Sequence, residues 1–370
     1  MDNQLTRIPE ILLMGPGPSC VSESVYHALA KPTLGHLDPV FITIMDDIKE
    51  FLKELMGTEN KLTVPISGTG SAGMETCFVN LINPGDKVLI LINGVFGTRM
   101  EDVASRLGAD VDNLSFEWGT VIDLDPIAKK LAETKYDMVA VVHAETSTGV
   151  CNPVNEIGKL VQENSALYLV DCVTSMGGIE VKMDDWNIDA LYSGTQKCLS
   201  CPPGLAPVSF SKRAVEKLNN RKSKVPNWYL DLSMITKYWS GKSRAYHHTA
   251  PINMLYGLYQ ASYNIIDEGL EVVIQRHMDM HHMLVNELSF LGLSLFVKKH
   301  DRLPMLNSII IPDGVNDAEV RSQLLNEFQI EIGGGLGPLA GRIWRIGLMG
   351  ETAKKESIQK LMDAFRKILN

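Results

Sequence analysis

Two ionisable side chains follow apolar runs that are typical of buried strands. The run 166–170 ends at Asp171, and the run 190–192 is followed by a short turn and then Lys197. The carboxyl ends of parallel strands are where α/β sheets bind ligands, so we expect both side chains at such an edge. Taken singly, an aspartate here is more often a helix cap and a lysine a solvated charge. Their combination and their order in the chain carry the functional interpretation.

A glycine-rich turn precedes both residues. The predicted strand 62–66 leads into the turn 67–73 (SGTGSAG) and then into a helix, and the backbone N–H groups at such a helix start bind phosphate. Three glycines of this turn also match the G-x-G-x-x-G pattern of dinucleotide sites, which need an acidic residue at the end of the next strand. That strand, 88–92, is followed by Asn93 instead. We therefore favour a cofactor phosphate over NAD.

A lysine, an aspartate and a phosphate-binding turn together are the set that pyridoxal phosphate requires. The lysine forms a Schiff base with the cofactor, the aspartate keeps the pyridine nitrogen protonated, and the turn anchors the phosphate. The protonated ring then acts as an electron sink. The residues thus predict a pyridoxal phosphate site.

The elements that must position these residues alternate along the chain from residue 62 onward. Short apolar runs, each closed by Gly, Asn, Asp or Ser, alternate with helical patterns, as in stacked βα units. Most of the runs are apolar throughout, as expected for strands covered on both faces. The predicted strands are 62–66, 88–92, 111–116, 138–143, 167–170, 190–192 and 206–210.

The pattern changes after about residue 250. A long helical stretch, 252–291, is expected to link two domains. It is followed by predicted strands at 294–297, 308–311 and 343–346 and by predicted helices at 317–328 and 354–369. We predict an N-terminal arm (1–16), a large cofactor-binding domain (17–268) and a small C-terminal α+β domain (269–370).

Composition excludes several classes of function. The 370 residues are 45% apolar and 21% charged, which is typical of a folded globular protein. A net charge of −9 opposes binding to nucleic acid or to anionic membranes, and no apolar run approaches the ~18 residues of a spanning helix. The N-terminus lacks a secretory pattern, and six cysteines are too sparse for a disulfide framework. We expect a cytoplasmic protein that binds neither nucleic acid nor membrane.

The chain resembles the class V aminotransferases of fold type I, and most closely the alanine–glyoxylate and serine–pyruvate aminotransferase group. The matching stretches cover nearly the whole chain in the family's order: Gly15–Pro18, Ser67–Gly70, Asn93–Gly97, His143–Gly149, Val170–Asp171, Tyr192–Lys197, Pro202–Gly204, Tyr246–Thr249 and Arg345–Gly347. The resemblance implies an α/β fold with a large, mainly parallel sheet, helices on both of its faces, and a smaller C-terminal α+β domain.

The resemblance also implies roles for single residues. Lys197 matches the Schiff-base lysine, which also moves the proton of the substrate, and Asp171 matches the partner of the pyridinium nitrogen. Val173 and Phe96 match the residues on the two faces of the cofactor ring, although the alanine–glyoxylate enzymes usually have tryptophan where this chain has Phe96. Contacts to the cofactor phosphate or ring are implied for Thr69, Gly70, Ser71, Gln196 and Thr146.

Three further positions concern the second subunit and the substrate. Tyr246 and Thr249 match residues that reach the phosphate from the other subunit, which implies a homodimer with shared active sites. Arg345 matches the arginine that binds the substrate carboxylate, a task suited to a planar bidentate donor.

The implied reaction is transamination from alanine or serine to glyoxylate, or to pyruvate. A 2-aminoethylphosphonate–pyruvate transaminase shares much of this scaffold and is the main alternative. Cysteine desulfurase is less favoured because it needs a mobile C-terminal thiol, and no cysteine follows Cys201. An NAD-linked dehydrogenase and a cofactor-binding protein without turnover are the remaining hypotheses.

Weaker patterns do not indicate a metal site. Cys198 and Cys201 form a CxxC pair without a second pair to complete a zinc site. His277 and His281 share a helix face in HMDMHH, which lacks the glutamate of a zinc-protease motif, and we interpret it as a solvated face. The glycines at 333–335 are interpreted as a flexible approach to Arg345.

Overall fold

A computed structural model describes residues 3–241 and 244–369, so residues 1–2, 242–243 and 370 of the predicted domains lie outside it. The strands are β1 (Leu12–Leu13), β2 (Leu62–Ser67), β3 (Lys87–Ile92), β4 (Asp110–Ser115), β5 (Met138–Val142), β6 (Ala144–Glu145), β7 (Val150–Cys151), β8 (Leu167–Asp171), β9 (Ala190–Tyr192), β10 (Leu205–Phe210), β11 (Leu306–Ile310), β12 (Ile330–Glu331), β13 (Gly333–Gly334) and β14 (Ile343–Gly347). The helices are α1 (Glu23–Leu29), α2 (Pro39–Met56), α3 (Gly70–Leu81), α4 (Val95–Arg106), α5 (Leu124–Glu133), α6 (Val154–Asn164), α7 (Lys212–Asn219), α8 (Leu232–Trp239), α9 (Ile252–Glu268), α10 (Leu270–Phe290), α11 (Asp317–Phe328) and α12 (Lys355–Ile368).

The large sheet has the strand order β2-β10-β9-β8-β5-β3-β4. Its neighbouring strands are parallel except for β10, which is antiparallel to both β2 and β9. Reversal at β10 follows from its connection to β9, because a parallel return to the sheet generally uses a helical crossover and the segment 193–204 contains no helix. The expected α/β fold with a large, mainly parallel sheet is confirmed.

The apolar runs of the sequence become buried strands. Strands β5 and β8 are buried at every residue, and β3 at all but its first. Successive side chains of a strand point to opposite faces, so burial at every position means that both faces of the sheet are covered. Helix α4 packs against β3 and β5, α6 packs against β8, and α3 packs against β2, β9 and β10 of the same sheet.

A second core lies in the C-terminal part of the chain. Strands β11, β14 and β13 form a small antiparallel sheet, and α10, α11 and α12 contribute to the same apolar cluster. At its centre the indole of Trp344 stacks on the ring of Phe365, with 5.5 Å between the ring centroids. The domain boundaries at 16/17 and 268/269 stay a prediction.

The N-terminal segment contacts this second core. Strand β1 pairs in parallel with β12, and Met14 is fully buried in the C-terminal cluster. From there the chain passes over the carboxyl ends of the large sheet, where Gly15–Pro18 lies near Lys197. One short segment therefore contacts both parts of the molecule.

The helical stretch predicted at 252–291 is present as two helices, because Gly269, with φ of +92°, separates α9 from α10. Two other expectations for the C-terminal part were wrong. Residues 294–297 form no strand and contribute a single bridge from Leu295 to Ile309. Residues 333–334 are not a flexible approach but strand β13.

The histidine face of α10 is also not solvated, because both side chains are buried and hydrogen-bonded. His277 Nε2 accepts the Gly350 N–H at 2.9 Å, while Nδ1 lies 2.7 Å from the Val273 carbonyl oxygen. The Nδ1 atom of His281 lies 2.6 Å from the side-chain oxygen of Asn307. These histidines therefore hold α10 to its neighbouring segments.

Membrane insertion has no candidate segment among the described helices. None of them is both long enough and apolar enough to cross a bilayer.

Candidate active site

A cavity of about 240 Å³ opens at the carboxyl edge of the large sheet. Three of its lining residues, Val142, Asp171 and Tyr192, are the last residues of β5, β8 and β9. The cavity therefore lies at the carboxyl ends of parallel strands, which is where parallel sheets bind ligands. Lining residues that were singled out in the sequence are Gly70, Ser71, Phe96, Thr146, Asp171, Val173, Gln196 and Lys197.

Asp171 is held by two hydrogen bonds at the end of β8. Its Oδ2 accepts a 2.7 Å hydrogen bond from the Tyr192 hydroxyl, and its Oδ1 accepts a 2.8 Å bond from the Val173 N–H. Burial raises the pKa of Asp171 to about 6, against the opposing effect of these bonds and of the Lys197 charge. The carboxylate is therefore oriented at the cavity wall and is ionised above about pH 6.

Lys197 lies in the turn after β9 and beneath the N-terminal segment. Its Nζ donates a hydrogen bond to the Pro16 carbonyl oxygen. Gly17 is required here, because its φ is +114° and a Cβ atom would lie 2.5 Å from Lys197 Nζ. Burial lowers the pKa of Lys197 to about 8. The amine is therefore much more easily deprotonated than an ordinary lysine.

The glycine-rich turn becomes the start of α3, as predicted. Thr69 has extended backbone and directly precedes Gly70, the first residue of the helix, but it does not itself line the cavity. A Cβ on Gly70 would lie 3.2 Å from a methyl of Val173, so glycine lets the helix start approach the cavity wall closely. The free N–H groups of this first turn, beside Ser71, form a site for an anion.

Gln196 adds an unpaired polar group to the same wall. Its Oε1 atom is buried and has no hydrogen-bond partner among the described residues. A buried polar group without a partner is costly in a folded protein unless a ligand or water satisfies it. The amide of Gln196 is thus available to a ligand of the cavity.

Phe96 and Val173 are two of the apolar residues that line the cavity. Phe96 is the second residue of α4, and the Arg99 guanidinium lies 4.9 Å from the centroid of its ring. Val173 follows Asp171 by two residues, and both line the cavity. Both apolar side chains thus lie in the same cavity as Asp171.

Glu145 lies behind this wall and is completely buried. It is the last residue of β6, which comes shortly after β5 and forms a hairpin with β7. Thr146 and Ser147 lie at the tip of this hairpin. Burial raises the pKa of Glu145 to about 7, while hydrogen bonds from Ser147 act in the opposite direction. Glu145 does not line the cavity.

Arg345 is buried on β14 and adjoins the cavity through Thr146. Its Nε donates to the Gly334 carbonyl oxygen at 2.7 Å, and its Nη1 donates to the Thr146 carbonyl oxygen at 3.1 Å. Nη2 makes no hydrogen bond within the described part of the chain. Burial lowers the pKa of Arg345 to about 10, so the group stays charged at neutral pH. Arg345 is not one of the lining residues.

Tyr246 and Thr249 do not reach the cavity of their own chain. Both are exposed, and their side-chain oxygens lie 3.3 Å apart. Between them, His248 contacts the glycine-rich turn, because its Nε2 lies 3.0 Å from the Ser67 hydroxyl oxygen. The structure thus places Tyr246 and Thr249 on the surface, apart from the residues that line the cavity. Only their neighbour in sequence, His248, contacts the glycine-rich turn.

Two residues that line the cavity, and one behind its wall, were given no role from the sequence. Tyr192 was named as a strand end and within a matching stretch, and the usable signal was that it closes an apolar run, as Asp171 does. Arg99 follows Phe96 by one helical turn and lines the cavity. Glu145 lay within a matching stretch, but no pattern of spacing connects it to Phe96.

The cysteine pair takes no part in the cavity. The Cys198 and Cys201 thiols are free and buried, and burial raises the pKa of each to about 12. Cys198 donates a hydrogen bond to the Thr174 carbonyl oxygen at 3.1 Å. Buried thiols with a raised pKa are unreactive, so Cys198 and Cys201 serve as packing residues.

Comparisons with known proteins give similarity over nearly the whole chain. Residues 21–342 match the family model described as aminotransferase class-V. The crystal structure of an alanine–glyoxylate aminotransferase from Nostoc sp. has a TM-score of 0.96 and 46% identity, covering 100% of both chains. The (S)-ureidoglycine–glyoxylate transaminase of Bacillus subtilis (strain 168) is 38% identical, over 96% of this chain and 90% of its own. The alanine–glyoxylate aminotransferase of Drosophila melanogaster is 39% identical, over 96% of this chain and 91% of its own.

Proposed function

This chain belongs to the class-V aminotransferases, with the fold type I architecture, and from that membership we propose that it transfers an amino group from a small L-amino acid to glyoxylate. Alanine or serine is the proposed donor, and pyruvate is a second acceptor. The observation that carries the proposal is one cavity that unites a deprotonatable lysine, a buried aspartate and a helix start suited to phosphate.

The residues present fit pyridoxal 5′-phosphate, the cofactor of this family. The first turn of α3 with Thr69, Gly70 and Ser71 would hold the phosphate, and the side-chain NH2 group of Gln196 would donate a hydrogen bond to it. Phe96 and Val173 would enclose the ring, and Thr146 would contact its edge. Bound there, the cofactor supplies a carbonyl for the amino group and a ring that accepts electrons from the reacting carbon.

The chain's own groups have separate tasks in this proposal. Asp171, ionised above about pH 6, holds a proton on the ring nitrogen. Burial lowers the pKa of Lys197 to about 8, which favours the uncharged amine, and the uncharged Nζ would accept the proton that leaves the substrate carbon. Pro16 and Gly17 lie over this amine and limit the access of water. The reaction is thus confined to one buried edge of the sheet.

Arg345 is proposed to bind the carboxylate that donor and acceptor share. Its Nε and Nη1 donate to backbone carbonyls and fix the guanidinium plane, which leaves N–H groups of Nη2 for a ligand. One site must accept both substrates in turn, so a residue that binds the carboxylate they share can serve both. Arginine does this with orientation as well as charge.

We also propose a homodimer in which Tyr246 and Thr249 complete the partner's phosphate site. Support comes from their exposure, because 60% of Tyr246 is accessible although it carries a large aromatic ring. Exposed aromatic residues are enriched at protein interfaces. A cytoplasmic location belongs to the same proposal and rests on the free cysteines, which a reducing compartment maintains.

Absorption spectra test the function directly. The purified protein with cofactor is expected to absorb in the visible region, to lose that band with alanine or serine, and to regain it with glyoxylate. The Lys197→Ala variant, with the same cofactor, is the control. A protein that responds to 2-aminoethylphosphonate but not to alanine or serine would replace the proposed donor with a phosphonate, and a protein without the visible band would overturn the aminotransferase proposal.

A further inference from the structure

Glu145 accepts hydrogen bonds from two separate segments behind the cavity wall. Its Oε2 accepts from the Phe96 N–H at 3.2 Å, and its Oε1 accepts from the Ser147 N–H at 3.0 Å. The Ser147 hydroxyl also donates to Oε1. The carboxylate thus joins the start of α4 to the turn at the tip of the β6–β7 hairpin.

The start of α4 has no local side-chain cap. Gly94 occupies the N-cap position and has no side chain to accept the first N–H groups of the helix. The Ser147 hydroxyl oxygen accepts the Val95 N–H at 3.1 Å, and Glu145 accepts that of Phe96. A Cβ at position 94 would lie 2.3 Å from Glu145 Cδ, so glycine permits this approach. A segment about 50 residues away in sequence therefore caps the helix that carries Phe96.

The same turn positions the next cavity residue. Thr146 stands between Glu145 and Ser147, lines the cavity, and accepts the Arg345 Nη1 hydrogen bond through its carbonyl oxygen. A shift of this turn therefore moves Thr146 and changes a bond of Arg345. The turn at 145–147 therefore contains one residue of the predicted site, Thr146, and contacts two others, Phe96 and Arg345.

A carboxylate suits this support better than a neutral side chain. It offers two oxygens that accept from two segments at once, and its charge is favourable beside a helix N-terminus. The side chain is completely buried, and a buried carboxylate is tolerated only when it is hydrogen-bonded in this way. The hydrogen bonds from Ser147 and Phe96 lower the pKa of Glu145 against the larger effect of its burial, and both of its oxygens accept from the two segments.

We propose that Glu145 is a positioning residue that holds Phe96 and Thr146 in place for the cofactor without touching the cavity. The inference rests on the proposed function, because it assumes that Phe96 and Thr146 contact a bound ring. According to this proposal, a residue that does not line the cavity fixes the positions of two residues that do.

The Glu145→Gln variant tests the proposal through cofactor affinity. Glutamine has the same shape but turns an N–H group toward one of the donors, so one bond to a charged acceptor is lost. We expect the Kd for pyridoxal phosphate to rise by about tenfold or more, and kcat at saturating cofactor to fall by a larger factor than KM for glyoxylate rises. Asp184→Asn, at an exposed carboxylate, is the control, because Asp184 also accepts a hydroxyl and a backbone N–H, from Thr58 and Glu59, and neither donor lines the cavity, whereas Phe96 does. An unchanged Kd in Glu145→Gln, within twofold of that of the control, would overturn the proposal.

Hydrogen exchange in the cofactor-free protein tests the same contact without any cofactor. Ser147→Ala is expected to speed exchange at the amides of Val95 and Phe96 by at least about tenfold and to leave the interior of α3 unchanged, while Ser147→Thr, which keeps the hydroxyl, restores slow exchange. Equal exchange in Ser147→Ala and the wild type would contradict the proposed support. If the wild type bound no pyridoxal phosphate, the proposed aminotransferase function would be disproved. The exchange measurement would still show whether the turn with Ser147 holds the start of α4.

Discussion

The hydroxyl of Tyr192 donates a hydrogen bond of 2.7 Å to the Asp171 carboxylate. The bond stabilises the charged form, whereas burial raises the pKa of Asp171 to about 6. Because β8 and β9 are parallel and in register, the two residues end their strands side by side. The ionisation of the aspartate is therefore linked to a neighbouring strand.

Replacing Tyr192 by phenylalanine is expected to weaken cofactor binding at the acid end of the pH range. The variant loses one donor to the carboxylate, so the pKa of Asp171 rises further and its ionised form disappears at a higher pH. We expect the pH at which cofactor affinity falls to move upward by about one to two units, the equivalent of one bond to a charged group. Fluorescence titration of both proteins with pyridoxal phosphate from pH 5 to 9 measures this, and coincident curves would contradict it.

Lys197 is expected to carry the cofactor covalently. Borohydride reduction followed by mass spectrometry of peptides locates the adduct, because reduction makes the linkage permanent. Lys197→Ala is expected to show no adduct and no measurable transamination while keeping the circular dichroism of the wild type. Lys182→Ala removes an exposed lysine and serves as the control. An adduct on a different lysine in the wild type would disprove the assignment.

The reactivity of Lys197 is expected to titrate near pH 8 in the cofactor-free protein. Burial disfavours the charged amine and lowers its pKa, so the uncharged, nucleophilic fraction rises through pH 8 instead of near pH 10.4, as for an ordinary lysine. Competitive acetylation at low reagent concentration, with N-acetyl-lysine amide as the internal reference, gives the titration curve of this one side chain. A midpoint above pH 10 would show that burial does not control the amine.

Replacing Arg345 by lysine is expected to impair both half-reactions and to spare cofactor binding. Lysine keeps the charge but loses the planar pair of donors. Loss of a charge-assisted pair in a partly desolvated site costs ~2–5 kcal/mol, or roughly 30- to several-thousand-fold in kcat/KM. Arg342→Lys, an exposed neighbour, is the control. Wild-type kcat/KM in Arg345→Lys would refute the carboxylate-binding role.

A mixture of two inactive variants is expected to regain activity if the active sites are shared. Lys197→Ala lacks the amine, and a double variant of Tyr246 and Thr249 to alanine lacks the proposed contacts to the partner's site. A hybrid dimer has one site with both defects and one intact site, so random pairing restores about a quarter of the wild-type activity. Light scattering establishes the mass of the species. An active monomer, or a mixture no more active than its components, would remove the shared-site proposal.

The strands of the large sheet were predictable as segments from simple patterns, whereas the partners with which strands pair were not. The run 138–142 was predictable because a continuous apolar stretch bounded by turn residues is typical of a strand buried on both faces. The pairing of Leu12 with Ile330 was not, because a two-residue strand has no periodicity. The predicted strand 294–297 was wrong since a short apolar run also suits an extended loop that makes one bridge.

The candidate site shows the same division. Lys197 and Asp171 were predictable because each follows an apolar run at a strand end. The contact of Glu145 with Phe96 joins residues 49 positions apart, and no local pattern encodes it. His277 and His281 were taken as solvated since helical spacing shows which residues share a face but not which face is buried.

The parallel pairing of β1 with β12 sets an order of events during synthesis. Ile330 follows its partner Leu12 by 318 positions, so at about 5–20 residues per second the ribosome takes roughly 16–64 s to make it. During that interval the strands of the large sheet emerge and can fold, whereas β1 has no strand to pair with. Ser19 can already bond to the carbonyl oxygens of Gln196 and Lys197, so β1 is the part of the N-terminal segment that is ordered last. A nascent chain stalled before residue 330 is expected to present a folded sheet with β1 still unpaired.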